Sequence, residues 1–348
     1  MESRKEVKLQ SIKTKGLDKD FFRINEMVNH SDTSTLTVDI VIPTYRPDQK
    51  FNSLMKRLRT QTVQPQRVFI INTIPKESFH EQGKAEQEEF MQKYRELNHA
   101  TIIHISQDEF DHGATRAYGA SLSNADLIMF MTQDAIPADD HLIEELMKPF
   151  HDPQIGAAYA RQLAASNADE IETFTRIYNY PAMSHIQQKS DIEKRGIKTF
   201  FCSDVCAVYR KEYYEELGGF VKKAIFNEDM LFAYKLIDHN YKVAYVAEAK
   251  VFHSHHYTYR QQFVRNFDLG VSHAENEEIF RSIKSESEGI RLVKKTAHYL
   301  MKRHRYFKLV DLFFTSGFKY MGYFFGVRYK KLPRKLVLKW SMNKNYWK

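Results

Sequence analysis

Apolar and polar positions fall into short blocks along the first half of the chain. A first strand opens at Val38 in V-D-I-V-I-P-T-Y and is stopped by Pro43. Residues 67–72 (R-V-F-I-I-N), 100–105 (A-T-I-I-H-I) and 127–131 (L-I-M-F-M) are further runs of β-branched, aromatic and aliphatic residues. Each has the length of a strand and is apolar enough to be covered on both sheet faces. The stretches between them read as helices: Leu54 and Leu58 begin one reaching about Thr62, residues 84–97 form a polar one, and 115–123 a third, opened by Gly113. Strand and helix alternate, which predicts a parallel sheet with right-handed crossovers.

The stretch 125–137, A-D-L-I-M-F-M-T-Q-D-A-I-P, organises the rest. Its buried strand ends in the polar tip Thr132-Gln133-Asp134, and Pro137 stops the pairing. One carboxylate is thereby held at the carboxyl end of a buried strand, where open α/β sheets bind ligands. The pattern then predicts a helix over 139–150 with an acidic start, a short strand over 157–161, and no clear period over 167–198. A strand-like run follows at 199–209, and E-L-G-G-F (216–220) is a glycine-capped helix end. Glu228-Asp229 open a helix that runs on over 230–239, and a strand over 241–252 ends in His253-Ser254-His255-His256.

Charge divides the chain unevenly. The net charge of +8 is concentrated in residues 291–348, which carry sixteen Lys/Arg against one acid, Asp311; the other 290 residues sum to −7. A basic tail marks nucleic acid or an anionic membrane as partner classes. The first twenty residues are charged and lack the apolar core of a secretory signal. Two cysteines, Cys202 and Cys206, exclude a disulfide scaffold and fit a reducing compartment. As strand neighbours four apart they would lie about 13 Å from each other, too far to bridge.

Glycine-rich dinucleotide and P-loop motifs are absent, as is the G-x-S-x-G elbow. Three polar groups remain at the ends of buried elements: Asp134, Glu228 with Asp229, and His253 with His255. A hard divalent cation takes carboxylate and phosphate oxygens, and a neutral imidazole completes such a shell. In H-S-H the histidines alternate by two, so both reach one side of a strand end.

The motifs I-V-I-P-T-Y, F-D-H-G-A-T-R, M-T-Q-D-A-I-P, E-L-G-G-F, N-E-D-M-L and A-K-V-F-H-S-H, in this order over 38–259, resemble an inverting glycosyltransferase of family 2. Within that family they look most like bacterial rhamnosyltransferases. The resemblance implies a GT-A fold: an α/β, Rossmann-like, mostly parallel sheet flanked by helices. The chain then divides into an N-terminal extension (1–37), the catalytic domain (38–260) and a helical, basic and aromatic C-terminal region (261–348). By the same resemblance, Pro43, Thr44 and Tyr45 would line the nucleotide-base pocket, with Asn72 where the family often has an acid. Arg116 would face the nucleotide or its phosphates. Gln133 and Asp134 would belong to the donor site, Asp134 matching the metal-binding Asp of the family's D-x-D and Thr132 replacing the first Asp. Asp229 matches the catalytic base, with Glu228 beside it. His253 and His255 would add metal contacts, and the cofactor would be Mg²⁺ or Mn²⁺.

The implied reaction moves a sugar, L-rhamnose from dTDP-L-rhamnose, to a lipid-linked or polysaccharide acceptor in cell-wall or capsule synthesis. The expected place is cytoplasmic, peripheral at the inner face of the cell membrane, with no nucleic acid as partner. In the tail, 309–327 is apolar over nineteen residues but interrupted by Asp311 and Lys319. Such a helix fits the headgroup layer better than a span. Three other readings stay open on the sequence: a different nucleotide sugar such as a UDP-hexose, a non-catalytic nucleic-acid-binding protein using the tail, and a catalytically dead scaffold.

Overall fold

The computed structural model describes residues 36–348, apart from 79, 256 and 281–285. The expected extension 1–37 therefore lies outside the described residues except for its last two. The strands are β1 (Val38–Tyr45), β2 (Val68–Ile74), β3 (Ala100–Ser106), β4 (Leu127–Met131), β5 (Ile136–Pro137), β6 (Ile155–Leu163), β7 (His185–Gln187), β8 (Cys206–Arg210) and β9 (Lys242–Phe252). They form one sheet in the order β3-β2-β1-β4-β8-β6-β9-β5, with β7 added on β9.

The β3-β2-β1-β4 half is parallel throughout, as the alternation predicts. Every residue of β4 is buried, because β1 covers one edge, β8 the other, and helices cover the faces. In the second half β8 runs antiparallel to both β4 and β6, while β6 and β9 are parallel. The sheet is thus parallel from β3 to β4 and mixed beyond it.

The larger helices are α1 (Gln49–Arg59), α2 (Glu81–Asn98), α3 (His112–Ser121), α4 (Leu142–Met147) and α5 (Glu170–Asn179). They are followed by α6 (Ile192–Arg195), α7 (Lys211–Glu216) and α8 (Glu228–Asp238). The C-terminal set is α9 (Tyr259–Glu275), α10 (Glu277–Phe280), α11 (Glu286–Lys302), α12 (Tyr306–Gly326) and α13 (Arg334–Trp340). Local chemistry sets several starts. Asp48 caps α1 by accepting from the Lys50 and Phe51 amides, and Asp111 caps α3 through those of Gly113 and Ala114. After α7, Gly218 and Gly219 take left-handed φ values of 74° and 61°, which ends that helix as E-L-G-G-F predicts.

Three sequence expectations change. The helix expected over 139–150 begins only at Leu142, since Asp139 and Asp140 are used in a turn: Asp139 Oδ1 accepts from the His141 amide, and the Asp140 carbonyl holds Thr62. The strand expected over 199–209 pairs only from Cys206; before it lie a 3-10 turn (Gly196–Phe200) and a loop folded by the Cys206 amide onto the Ser203 carbonyl. Its apolar residues serve burial instead of pairing, so Cys202 and Cys206 are not strand neighbours, though both are free and buried. Residues 167–198, which show no clear period, hold α5, β7 and α6.

The C-terminal helices belong to the same compact unit as the sheet, which spans Thr37–Lys348. Helices α9 and α12 cross at glycines. A Cβ on Gly322 would stand 2.2 Å from the Phe263 carbonyl oxygen, and one on Gly326 2.2 Å from that of Phe267. Small residues therefore let the two backbones touch. No helix among the described residues is long and apolar enough to cross a membrane.

Candidate active site

Strand register decides which side chains meet at the carboxyl ends of β1, β2 and β4. Thr44 stands opposite Asn72, and Asn72 opposite His104, on three adjacent strands. Thr44 Oγ1 donates to Asn72 Oδ1 (2.9 Å), while the Asn72 amide contacts Gln87 Oε1 (3.3 Å) and His104 Nδ1 (3.1 Å). His104 Nε2 in turn reaches Glu88 (2.8 Å). Asn72 is thus wholly buried inside a polar network, with both amide protons engaged. Pro43 is half-buried and Tyr45 is exposed. Gln133 clamps the end of β1: its Oε1 accepts from the Tyr45 amide (2.8 Å) and its Nε2 donates to the Tyr45 carbonyl (3.0 Å).

The two-residue strand β5 pairs with the end of β9, Ile136 against Phe252. This brings Asp134, just before β5, against His253 and His255, just after β9. His253 Nε2 lies 3.6 Å from Asp134 Oδ1 and His255 Nε2 3.8 Å from Asp134 Oδ2. One ligand atom from each of the three residues falls within 4.8 Å of the others, a spacing suited to one shared cation. Ser254 points away and accepts from the Ala165 amide, so the alternation of H-S-H is realised. Gln162 Oε1 lies 3.0 Å from His253 Nδ1, orienting the ring so that Nε2 faces the carboxylate.

Burial, then the charges of His255, Arg176, Arg265 and Lys50, push the His253 imidazole far below its ordinary pKa. Burial also lowers that of His255, against the pull of Asp134. Two neutral imidazoles beside a carboxylate fit a divalent cation of the Mg²⁺ or Mn²⁺ kind, with imidazole favouring the later metal.

Asp229 is reached from this cluster along a hydrogen-bonded chain. Gln162 Nε2 donates to Ser203 Oγ (2.9 Å), and the amide of the next residue, Asp204, donates to Asp229 Oδ2 (3.1 Å). Asn227, at φ 67°, turns the chain into α8, a conformation Asn tolerates better than most residues. Asp229 Oδ1 also accepts from the Met230 amide (2.7 Å). Burial first, then the Glu228 charge, push the Asp229 carboxyl up to about 6.

Glu228 and Asp229 are neighbours with different surroundings. Glu228 is buried and accepts from Arg116 Nη1 at 2.9 Å, while Arg116 Nε lies 3.5 Å from Asp204 Oδ2. Arg116 is itself only 6% exposed and also donates to the His112 carbonyl (3.0 Å). Its guanidinium is therefore turned to two carboxylates beneath Asp229, where sequence reasoning had it facing the nucleotide. Asp204 accepts from the Tyr209 hydroxyl (2.7 Å), and burial drives its carboxyl well above the usual range. Of these acids, Asp229 alone is only partly buried and has no cation in contact.

The assembled site is a cluster of Asp134, His253 and His255, spaced as a cation site needs, and a raised carboxylate, joined through the 203–204 loop at the carboxyl end of a parallel half-sheet. Residues 39–218 match the model of the glycosyl transferase family 2. The chain belongs to that family. This transferase is 37% identical over 314 residues to the O-antigen chain rhamnosyltransferase RfbN of Salmonella typhimurium, covering 90% of its own length and 96% of that protein. It is 36% identical over 311 residues to the O-antigen chain rhamnosyltransferase WbaN of Salmonella anatum, covering 88% and 95%. Its fold is shared with the mannosyltransferase PcManGT from Pyrobaculum calidifontis, solved in complex with GDP-Man and Mn²⁺. That likeness has a TM-score of 0.58 at 11% identity and covers 89% and 94% of the two chains. The fold is the GT-A type that the sequence motifs imply.

Sequence reasoning missed Gln162, Ser203 and Asp204. The first two are ordinary polar residues in strand and loop, and nothing in their spacing marks them. Asp204 has a weak signal, as the acid interrupting an apolar run.

Proposed function

We propose that this transferase moves L-rhamnose from dTDP-L-rhamnose to a lipid-linked saccharide during polysaccharide synthesis. The observation that carries this reading is its similarity, over nine-tenths of its length, to two O-antigen chain rhamnosyltransferases. The catalytic domain (38–260) holds the donor, and the C-terminal region (261–348) sets the enzyme on the inner membrane surface, where a lipid-linked acceptor would be met.

Asp229 is the general base. The acceptor hydroxyl attacks the anomeric carbon from the face opposite the diphosphate, its proton passes to Asp229, and the bond to the diphosphate oxygen breaks with its electron pair. One displacement inverts the centre, so no second nucleophilic carboxylate is needed. Glu228 serves with Arg116 as a buried ion pair that fixes the loop and keeps a negative charge beside Asp229. Asp134, His253 and His255 would hold a divalent cation, Mn²⁺ or Mg²⁺. When bound, such an ion neutralises charge on the leaving diphosphate. Pro43, Thr44 and Tyr45 form the wall for the base. Asn72 holds Thr44 in place, and Gln133 holds the Tyr45 end of that wall.

The test is transfer or hydrolysis by the purified protein against a panel of nucleotide sugars, with and without EDTA and re-added Mn²⁺. Turnover of dTDP-rhamnose above all others, lost in EDTA and restored by metal, is expected; preference for a UDP-hexose would replace the donor assignment. Asp134→Ala should lose at least a hundredfold in activity with an unchanged melting temperature. Full activity of that variant in EDTA would remove the metal from the mechanism.

A further inference from the structure

Two hydrogen-bonded relays lead from the histidine cluster to a single side chain on helix α5. Arg176 of that helix donates through Nη1 to Gln162 Oε1, and its Nη2 lies 3.5 Å from Glu172 Oε1, one helical turn earlier. Each of these acceptors also holds one histidine. Gln162 Oε1 meets His253 Nδ1 at 3.0 Å, and Glu172 Oε1 accepts from the His255 amide at 3.0 Å. Gln162 is only 2% exposed, and its Nε2 is given to Ser203 Oγ at 2.9 Å. Arg176 thus stands one side chain behind each of the two histidines.

We propose that Arg176 is a positioning residue, which by facing Gln162 Oε1 fixes His253 as the tautomer whose Nε2 is free to hold a cation. The argument is one of donors and acceptors. The two ends of a Gln amide have nearly the same shape, so Gln162 fits its pocket either way round. The Ser203 hydroxyl donates or accepts, and a neutral imidazole carries its one proton on either nitrogen, so neither partner chooses. A guanidinium only donates. Beside Arg176 the amide must therefore present its oxygen, which leaves the NH₂ for Ser203. That oxygen only accepts, so the ring proton of His253 sits on Nδ1. His253 Nε2, 3.6 Å from Asp134 Oδ1, then keeps its lone pair for a shared ion. Without the guanidinium the amide is free to turn end for end. Its NH₂ would then take the Nδ1 lone pair and put the ring proton on Nε2, where a cation must bind.

Glu172 gives the same guanidinium a hold on the second ligand, because it ties the backbone of His255 to α5. One charged group thus sets the proton of one imidazole and the placement of the other. This inference rests on the reading of Asp134, His253 and His255 as a divalent-cation site.

The experiment compares the full chain, metal-free and with isotope-labelled histidine, with Arg176→Met, Arg176→Gln and Arg176→Lys. Proton–nitrogen correlation spectra show which ring nitrogen of His253 carries the proton, with His253→Asn assigning the signal. Titration with Mn²⁺ followed by electron paramagnetic resonance gives the affinity, and thermal melting the stability. The wild type is expected to carry the proton on Nδ1. Arg176→Met and Arg176→Gln should move it wholly or partly to Nε2 and weaken Mn²⁺ binding by roughly tenfold or more. Arg176→Lys, again a pure donor, should keep the Nδ1 proton and recover part of the affinity. A wild-type ring protonated on Nε2 overturns the proposal whatever the variants do, so it stays testable even if Arg176→Met does not fold. Variants that melt early yet keep both the Nδ1 proton and the Mn²⁺ affinity also overturn it, and leave Arg176 a purely stabilising role. A wild type with the Nδ1 proton that binds neither Mn²⁺ nor Mg²⁺ would instead overturn the cation site itself.

Discussion

At the scale of single residues, Asp229 and Glu228 differ only in what surrounds them. Glu228 is ion-paired with Arg116 at 2.9 Å, whereas Asp229 accepts only from two amides and feels the charge of its neighbour. Burial and that charge push its carboxyl up to about 6, within reach of a general base at neutral pH. A base works as the carboxylate, so kcat should rise with pH through about 6 and level off above it. Asp229→Asn should cut kcat by roughly a hundredfold or more and abolish that acid limb, with donor affinity little changed. An acid limb that persists in Asp229→Asn belongs to another group. Removing the cation beneath should show itself differently. Arg116→Met leaves Glu228 and Asp204 as buried acids without a cation, and should destabilise the fold by roughly 3 kcal/mol or more. Thermal melting checks this, and an unchanged melting temperature would mean the pair contributes little to stability.

At the scale of elements, the crossing of α9 and α12 links the C-terminal region to the site, because α9 also carries Ser272, which holds the Phe226 carbonyl just before Glu228 and Asp229. The contact is backbone against backbone. Gly326→Leu would drive side-chain atoms into the Phe267 carbonyl, and neither partner is a flexible side chain that yields cheaply. A loss of about 1–3 kcal/mol is expected from such overpacking, together with lowered donor affinity if α9 tilts. Gly317 on the same helix is the control, since nothing lies within 4 Å of a Cβ added there. Gly317→Ala should raise stability by up to about 1 kcal/mol through helix propensity alone. Thermal melts of both variants separate the effects: equal shifts would mean that the crossing is not where the helix is held.

At the scale of the whole molecule, α12 shows its other face to solvent. Tyr306, Phe307, Val310, Phe313, Phe314, Tyr320, Met321 and Phe324 are all exposed, Phe307 by 95% and Phe313 by 73%. The spacing is that of one helical stripe. Exposed bases lie at both its ends, Lys302, Arg303 and Arg305 before it and Arg328, Lys330 and Lys331 after it. Apolar rings between basic clusters suit the headgroup layer of an anionic bilayer, where each base adds on the order of 1 kcal/mol. The full chain should sediment with vesicles containing phosphatidylglycerol and be released by high salt. Replacing Phe307, Phe313 and Tyr320 together by Ser should leave the enzyme in solution, with transfer to a soluble acceptor intact. Equal binding of wild type and triple variant would place the membrane contact elsewhere.

Much of this was written in local sequence. The apolar runs marked β1 to β4 because a strand covered on both faces must be apolar throughout. Gly218-Gly219 marked a helix end because only left-handed backbone closes it. H-S-H put two imidazoles on one side because strand side chains alternate. Other features were decided by distant pairing. The run over 199–209 has strand composition, yet only its last part finds a partner edge, and Ser203-Asp204 become the bridge between the Asp134–His253–His255 cluster and Asp229. Asp134 meets His253 because β5 pairs with β9 across more than a hundred residues. Arg116 turns to Glu228 because a buried guanidinium takes the nearest carboxylate, and no spacing along the chain says which one that is. Residue types and periods fix what each segment is able to do alone; which charges end up neutralised, and which are left free to act, depends on contacts that exist only after the chain has closed.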